Sequence, residues 1–115
     1  MDSRTKPPGE ALPDGLWTPL HEAAAQGFVD VTRALLITGA NPNARDEDGQ
    51  TPLHWAEDTD CARLLLAAGA SPNAADADGL TPLDYAEDDA VRETLRAEGG
   101  KTGAQLRARR GEKPE

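Results

Sequence analysis

The sequence predicts an all-α solenoid: three helix–turn–helix repeats in a row, with finger-like turns between them. Three observations predict it. The segment Thr18-Pro-Leu-His-Glu-Ala-Ala returns as Thr51-Pro-Leu-His-Trp-Ala-Glu and as Thr81-Pro-Leu-Asp-Tyr-Ala-Glu, at intervals of 33 and 30 residues, and self-similarity at such a period marks stacked repeats. Each copy leads into a stretch that closes on glycine: Ala34-Leu35-Leu36 to Gly39-Ala40, Leu64-Leu65-Leu66 to Gly69-Ala70, and Thr94-Leu95-Arg96 to Gly99-Gly100. Aromatics are only 3% of the 115 residues and hydrophobics 37%, so the core has to be Leu, Ala and Val at close backbone separation. Stacked short helices suit that better than a sheet sandwich.

Each element has a local cause. Thr18, Thr51 and Thr81 are helix N-caps, whose hydroxyls accept from a free backbone N–H, and Pro19, Pro52 and Pro82 take the first helical position, where a missing N–H costs nothing. Leu20, Leu53 and Leu83 with Ala23, Ala56 and Ala86 recur at i and i+3, an apolar stripe whose alanines let neighbouring helices approach. The second helices are predicted at about Val29 to Thr38, Thr59 to Ala68 and Asp89 to Ala97, ending at Gly39, Gly69 and Gly99 in the left-handed conformation. Their inward residues are read as Val31, Leu35 and Leu36, then Cys61, Leu65 and Leu66, then Val91 and Leu95. Asn41-Pro-Asn-Ala and Ser71-Pro-Asn-Ala lead to Asp46-Glu-Asp-Gly49 and Asp76-Ala-Asp-Gly79, which read as tight turns at the finger tips.

This recurring order closely resembles the ankyrin repeat family, over roughly residues 14 to 100. The resemblance divides the chain into a flexible arm (1–13), a repeat domain (14–100, repeats at about 14–46, 47–76 and 77–100) and a basic tail (101–115). The tail is expected to be disordered, or alternatively to extend the last helix through Ala104 to Arg110. Repeats two and three are three residues short of the family length, between their helices, so their first helices should be short and their inter-helix turns tight. In repeat three Asp84 replaces the histidine, Thr94 and Arg96 replace leucines, and Gly100 replaces alanine. A polar last repeat is what a solenoid needs at its end.

Composition and spacing argue against several chemistries. Residues 1–100 hold 7 Lys/Arg against 19 Asp/Glu, a balance of −12, and residues 101–115 hold 5 against 2, a balance of +3. An acidic body repels phosphate backbones, so nucleic acid is not an expected partner. One cysteine, Cys61, forms no internal disulfide, the amino terminus lacks an apolar signal core and no stretch reaches membrane-spanning length, so a cytoplasmic protein with no membrane partner is expected. His21 and His54 hold the same place in consecutive repeats, where the resemblance implies a structural role bridging a turn. Cys61 aligns with Val31 and Val91 and reads as a small core residue. The acidic tips fail as calcium loops: with Gly49 or Gly79 sixth, the twelfth position falls on Trp55 or Tyr85. Gly99-Gly-Lys-Thr102 fails as a phosphate loop, its earlier glycine being Leu95. No catalytic residue, metal or cofactor is expected.

What remains is a binding surface. Trp17, Gln50 and Leu80 immediately precede the three Thr-Pro-Leu segments, on the finger positions that contact partners in the family. Glu22, Trp55 and Tyr85 share the fifth motif position, where successive repeats align side chains along the inner groove. Trp17, Trp55 and Tyr85 are three of the four aromatics (Trp 2, Tyr 1, Phe 1), and aromatics in a groove are typical anchors; packing between adjacent first helices is the competing role for Trp55 and Tyr85. Asp46, Glu47, Asp48, Asp76 and Asp78 would form an acidic rim. The expected function is a non-enzymatic adaptor or scaffold, monomeric, holding a basic protein on its concave face. An inhibitor or immunity-like protein occluding an enzyme would use the same surface, and an enzymatic role is the least favoured reading.

Overall fold

The computed structural model describes residues 15–109; residues 1–14, which include the expected arm at 1–13, and residues 110–115 lie outside it. Seven helices follow in order among the described residues: α1 (Pro19–Gln26), α2 (Val29–Ile37), α3 (Pro52–Trp55), α4 (Thr59–Ala67), α5 (Pro82–Tyr85), α6 (Asp89–Ala97) and α7 (Gly103–Arg109). The first helix of repeat one has 8 residues and those of repeats two and three have 4 each, the shortening expected from the missing residues. All three start on the threonine N-cap with proline behind it. The tight inter-helix turns put Asp58 and Asp88 at the N-caps of α4 and α6, where each carboxylate accepts two backbone N–H bonds.

The repeats stack first helix on first helix and second on second. Leu20, Leu53, Leu83, Val91 and Leu95 at 1% exposure, with Leu65, Ala24 and Ala62 at 0%, form one continuous core, and Leu35, Leu36, Ala40 and Leu66 pack against it half-buried. Truncating any of these buried leucines to alanine would cost on the order of 2–5 kcal/mol. Asparagines tie one repeat to the next: Asn43 donates to the Gly69 carbonyl (3.1 Å) and accepts from Ser71 N–H (2.8 Å), and Asn73 does the same for Gly99 (3.1 Å) and Lys101 (2.7 Å).

Two expectations differ from the structure. Val31 is not inward but 48% exposed, although its repeat equivalents Cys61 and Val91 are at 0% and 1%. That register faces the preceding repeat, and among the described residues no helix lies there to cover α2. The second difference is the tail. Residues 103–109 form a separate helix, set off from α6 by Gly99–Thr102, rather than a disordered end or a continuation of α6. Thr102 and Gln105 bond reciprocally (Thr102 N–H to Gln105 Oε1, 2.8 Å; Gln105 N–H to Thr102 Oγ1, 3.1 Å), a capping box that starts a new helix. Its start is tied to repeat three: Thr81 Oγ1 donates to the Lys101 carbonyl (2.5 Å) and Gly103 N–H donates to Asp84 Oδ2 (2.8 Å).

Candidate interaction surface

The finger side of the stack is held by the two histidines. A backbone N–H can only donate, so Thr18 N–H to His21 Nδ1 (3.1 Å) and Thr51 N–H to His54 Nδ1 (2.9 Å) leave both Nδ1 atoms bare. The proton then sits on Nε2, which donates to the Gln50 carbonyl (2.8 Å) from His21 and the Leu80 carbonyl (3.0 Å) from His54. Each ring therefore joins a helix start to the next finger, and neither is free for proton transfer or metal ligation. Burial pushes the His54 pKa below 6.5, with the Leu80 bond opposing part of that effect.

The fingers carry their own carboxylates inward. Asp46 Oδ1 accepts from Asp48 N–H (2.9 Å) and Gln50 N–H (3.0 Å), and Asp76 Oδ1 from Asp78 N–H (2.9 Å) and Leu80 N–H (3.0 Å). Both aspartates are buried, so they shape the turns and do not stand on the rim as the sequence suggested. Asp76 Oδ2 also accepts from the Gln50 side chain (3.0 Å) and the Tyr85 hydroxyl. Burial opposes ionisation of Asp76, but these four donors outweigh it and hold its pKa at about 2; the same bond, then burial, raises Tyr85 to about 12.

The eleven residues expected to face a partner fall into three groups. Trp17, Glu22 and Trp55 come together: the indole planes of Trp17 and Trp55 meet at 85° with centroids 5.0 Å apart, and Trp17 Nε1–H donates to Glu22 Oε1 (3.1 Å). Trp17 is 43% exposed and Trp55 37%. Gln50, Asp76, Leu80 and Tyr85 form a second, half-buried to buried group bound to one another or to His54, with Tyr85 edge-on to the His54 ring at 5.7 Å. Glu47, Asp48 and Asp78 are exposed at the finger tips and Asp46 is buried.

Two contributors were missed in the sequence. Gln26 donates to Glu22 Oε2 (3.0 Å), and its i+4 spacing on α1 was the available signal. His21 stacks on the Trp17 ring at 5.0 Å and 27°; nothing in the spacing indicates a ring packed against a residue four positions back. Among the described residues no cluster of three or more His, Cys, Asp or Glu could hold a metal, and no helix is long and apolar enough to cross a membrane.

In comparison with known proteins, the family model described as ankyrin repeats (3 copies) matches residues 5–76 and 20–101. A putative ankyrin repeat protein of Rickettsia bellii is 55% identical over 42 residues, 36% of this chain and 18% of that protein. Rabankyrin-5 of Homo sapiens is 51% identical over 39 residues, 34% of this chain and 3% of that protein. Protein phosphatase 1 regulatory subunit 12A of Mus musculus is 42% identical over 48 residues, 38% of this chain and 5% of that protein. The chain therefore matches no more than 18% of the length of these relatives. The crystal structure of the human ASB11 ankyrin repeat domain matches with a TM-score of 0.72 at 35% identity, covering 74% of this chain and 41% of that one.

Proposed function

The chain belongs to the ankyrin repeat family, and from that premise we propose that it is a non-enzymatic protein-interaction module, an adaptor that holds a basic partner on its finger side. The observation that carries this reading is Trp17 and Trp55, large aromatics left 43% and 37% exposed while the leucines beneath them, Leu20 and Leu53, are at 1%. Packing on His21 and on each other holds the two indoles in place while part of each stays open to solvent, and aromatics presented in this way are typical interface anchors. Exposed Glu22, Glu47, Asp48 and Asp78 surround that side, and a chain of formal charge −9 attracts and steers a basic surface. Both histidines are committed to Thr N–H groups and finger carbonyls, which supports a role in holding the turns over one in proton transfer.

The test is affinity capture from the native lysate at low and high salt, with wild-type chain and with a variant carrying Asp48→Lys, Asp78→Lys and Trp55→Ala. A basic partner held by wild-type at low salt and released by the variant supports the reading. Equal capture by both would place binding on another face. A second reading has one point in its favour, the likeness to a relative named as a regulatory subunit of a phosphatase: the partner is an enzyme whose activity this chain alters. Assaying the captured partner with and without added chain separates scaffold from regulator.

A further inference from the structure

Building on the interaction-module reading, we propose that the Trp17 and Trp55 pair, edged by Glu22, is a subsite for one arginine side chain of the partner. Two indole planes at 85° make a right-angled wall, and one of them is fixed from behind, because His21 stacks on Trp17 at 5.0 Å and is itself locked by two hydrogen bonds. The Trp17 plane is therefore preformed, and a ligand need not order that side of the wall. Glu22 is held beside it by Trp17 Nε1–H on one oxygen (3.1 Å) and by Gln26 on the other (3.0 Å). Each carboxylate oxygen keeps a further lone pair, so the pair of oxygens still accepts two donors.

A side chain that fits must be cationic, flat on one side and able to give two parallel N–H groups. Guanidinium meets all three conditions: it stacks on an aromatic face, forks onto a carboxylate and is more weakly hydrated than an ammonium, so it loses less on leaving water. Lysine offers a compact, strongly hydrated charge without the fork. The subsite belongs to the first two repeats alone. One repeat further on, Tyr85 points its hydroxyl at Asp76, and that carboxylate is buried and already accepts Gln50, Asp78 and Leu80 donors, leaving nothing for a cation.

The chain's tryptophans number 2 and both lie in the subsite, so the two indole N–H signals in a nitrogen-15 spectrum report it directly. The probe is a blocked peptide Gly-Ser-Arg-Ser-Gly, with lysine, trimethyllysine and citrulline versions as its controls. Saturable movement of both indole signals by the arginine peptide is expected, with no movement by the neutral citrulline isostere. Trp55→Leu should weaken binding on the order of tenfold and Glu22→Gln about threefold; circular dichroism checks that both remain folded, and Glu22→Gln on the exposed face keeps the test valid if Trp55→Leu does not. Equal binding of citrulline, tighter binding of either lysine peptide, or no saturable shift would overturn the assignment. A partner that survives Glu22→Gln and Trp55→Leu but is lost with Asp48→Lys and Asp78→Lys would remove the subsite and leave the module reading standing.

Discussion

A buried imidazole between a backbone N–H and a carbonyl has one usable protonation state. At His54 the Thr51 N–H occupies Nδ1 and the Leu80 carbonyl takes the Nε2 proton, so adding a second proton breaks the Thr51 bond and places a charge in a buried site. The folded-state pKa is accordingly below 6.5, and the sign follows: the unfolded chain binds protons more readily, so this contribution is complete above the unfolded value and is lost as pH falls through it toward the folded one. Urea unfolding at about pH 7.5 and about pH 5.5 should show wild-type losing stability on acidification. His54→Asn should be weaker at the higher pH by about 1–2 kcal/mol, having lost the Leu80 bond, with a smaller pH-dependent loss. Identical pH slopes for the two proteins would refute this origin. The residue scale is also where the sequence was least informative about the surface. Asp46, Asp48, Asp76 and Asp78 are indistinguishable as letters in two acidic tips, yet the backbone turns bury the first of each pair and expose the second. Only the turn geometry separates a structural carboxylate from one that can meet a partner.

Among the elements, helix starts and ends were legible because caps are local chemistry: threonine before proline starts α1, α3 and α5, and glycine with positive φ follows α2, α4 and α6. What a neighbour covers is not local. Val31 has the letter of a core residue, and only its position in the first repeat exposes it. Asp84 shows the same dependence in a form that can be tested. Where His21 and His54 donate to a carbonyl of the next finger, Asp84 Oδ2 accepts from Thr81 N–H (2.8 Å) and from Gly103 N–H (2.8 Å). The next element here presents a donor, the first N–H of α7, so the side chain must be an acceptor. Asp84→His, with Nδ1 claimed by Thr81, would aim an N–H at an N–H and should destabilise the protein by about 1–3 kcal/mol. Asp84→Asn, which can put one oxygen where Oδ2 sits, should stay close to wild-type. Gly103→Ala should match the histidine variant, because its Cβ would lie 2.1 Å from the Gly79 carbonyl oxygen. Denaturant unfolding ranks the three, and hydrogen exchange at α7 amides shows whether the helix has come away. A histidine variant as stable as wild-type would mean that α7 contributes little to the fold.

For the molecule as a whole, charge acts on folding and on binding with opposite signs. The chain carries 12 Lys/Arg and 21 Asp/Glu. Among the described residues the ion pairs that offset this are Arg33 with Asp30 and Arg63 with Asp60, both within one helix turn and well exposed. Such pairs contribute little, so the net field is self-repulsion, which works against the compact state. A stack of three short repeats has a small core to set against that repulsion. Raising sodium chloride from about 10 to about 300 mM shortens the range of the repulsion and should raise the melting temperature on the order of 5 °C. The same salt should weaken capture of a basic partner. The two effects together make the binding test interpretable, because a partner lost at high salt would then be lost from a chain more firmly folded than before. A melting temperature that falls with salt would mean that attractive pairs outweigh repulsion in the folded chain. In that case salt-sensitive capture would no longer identify the acidic surface, and the comparison of Asp48→Lys and Asp78→Lys with wild-type at a single ionic strength would have to decide it.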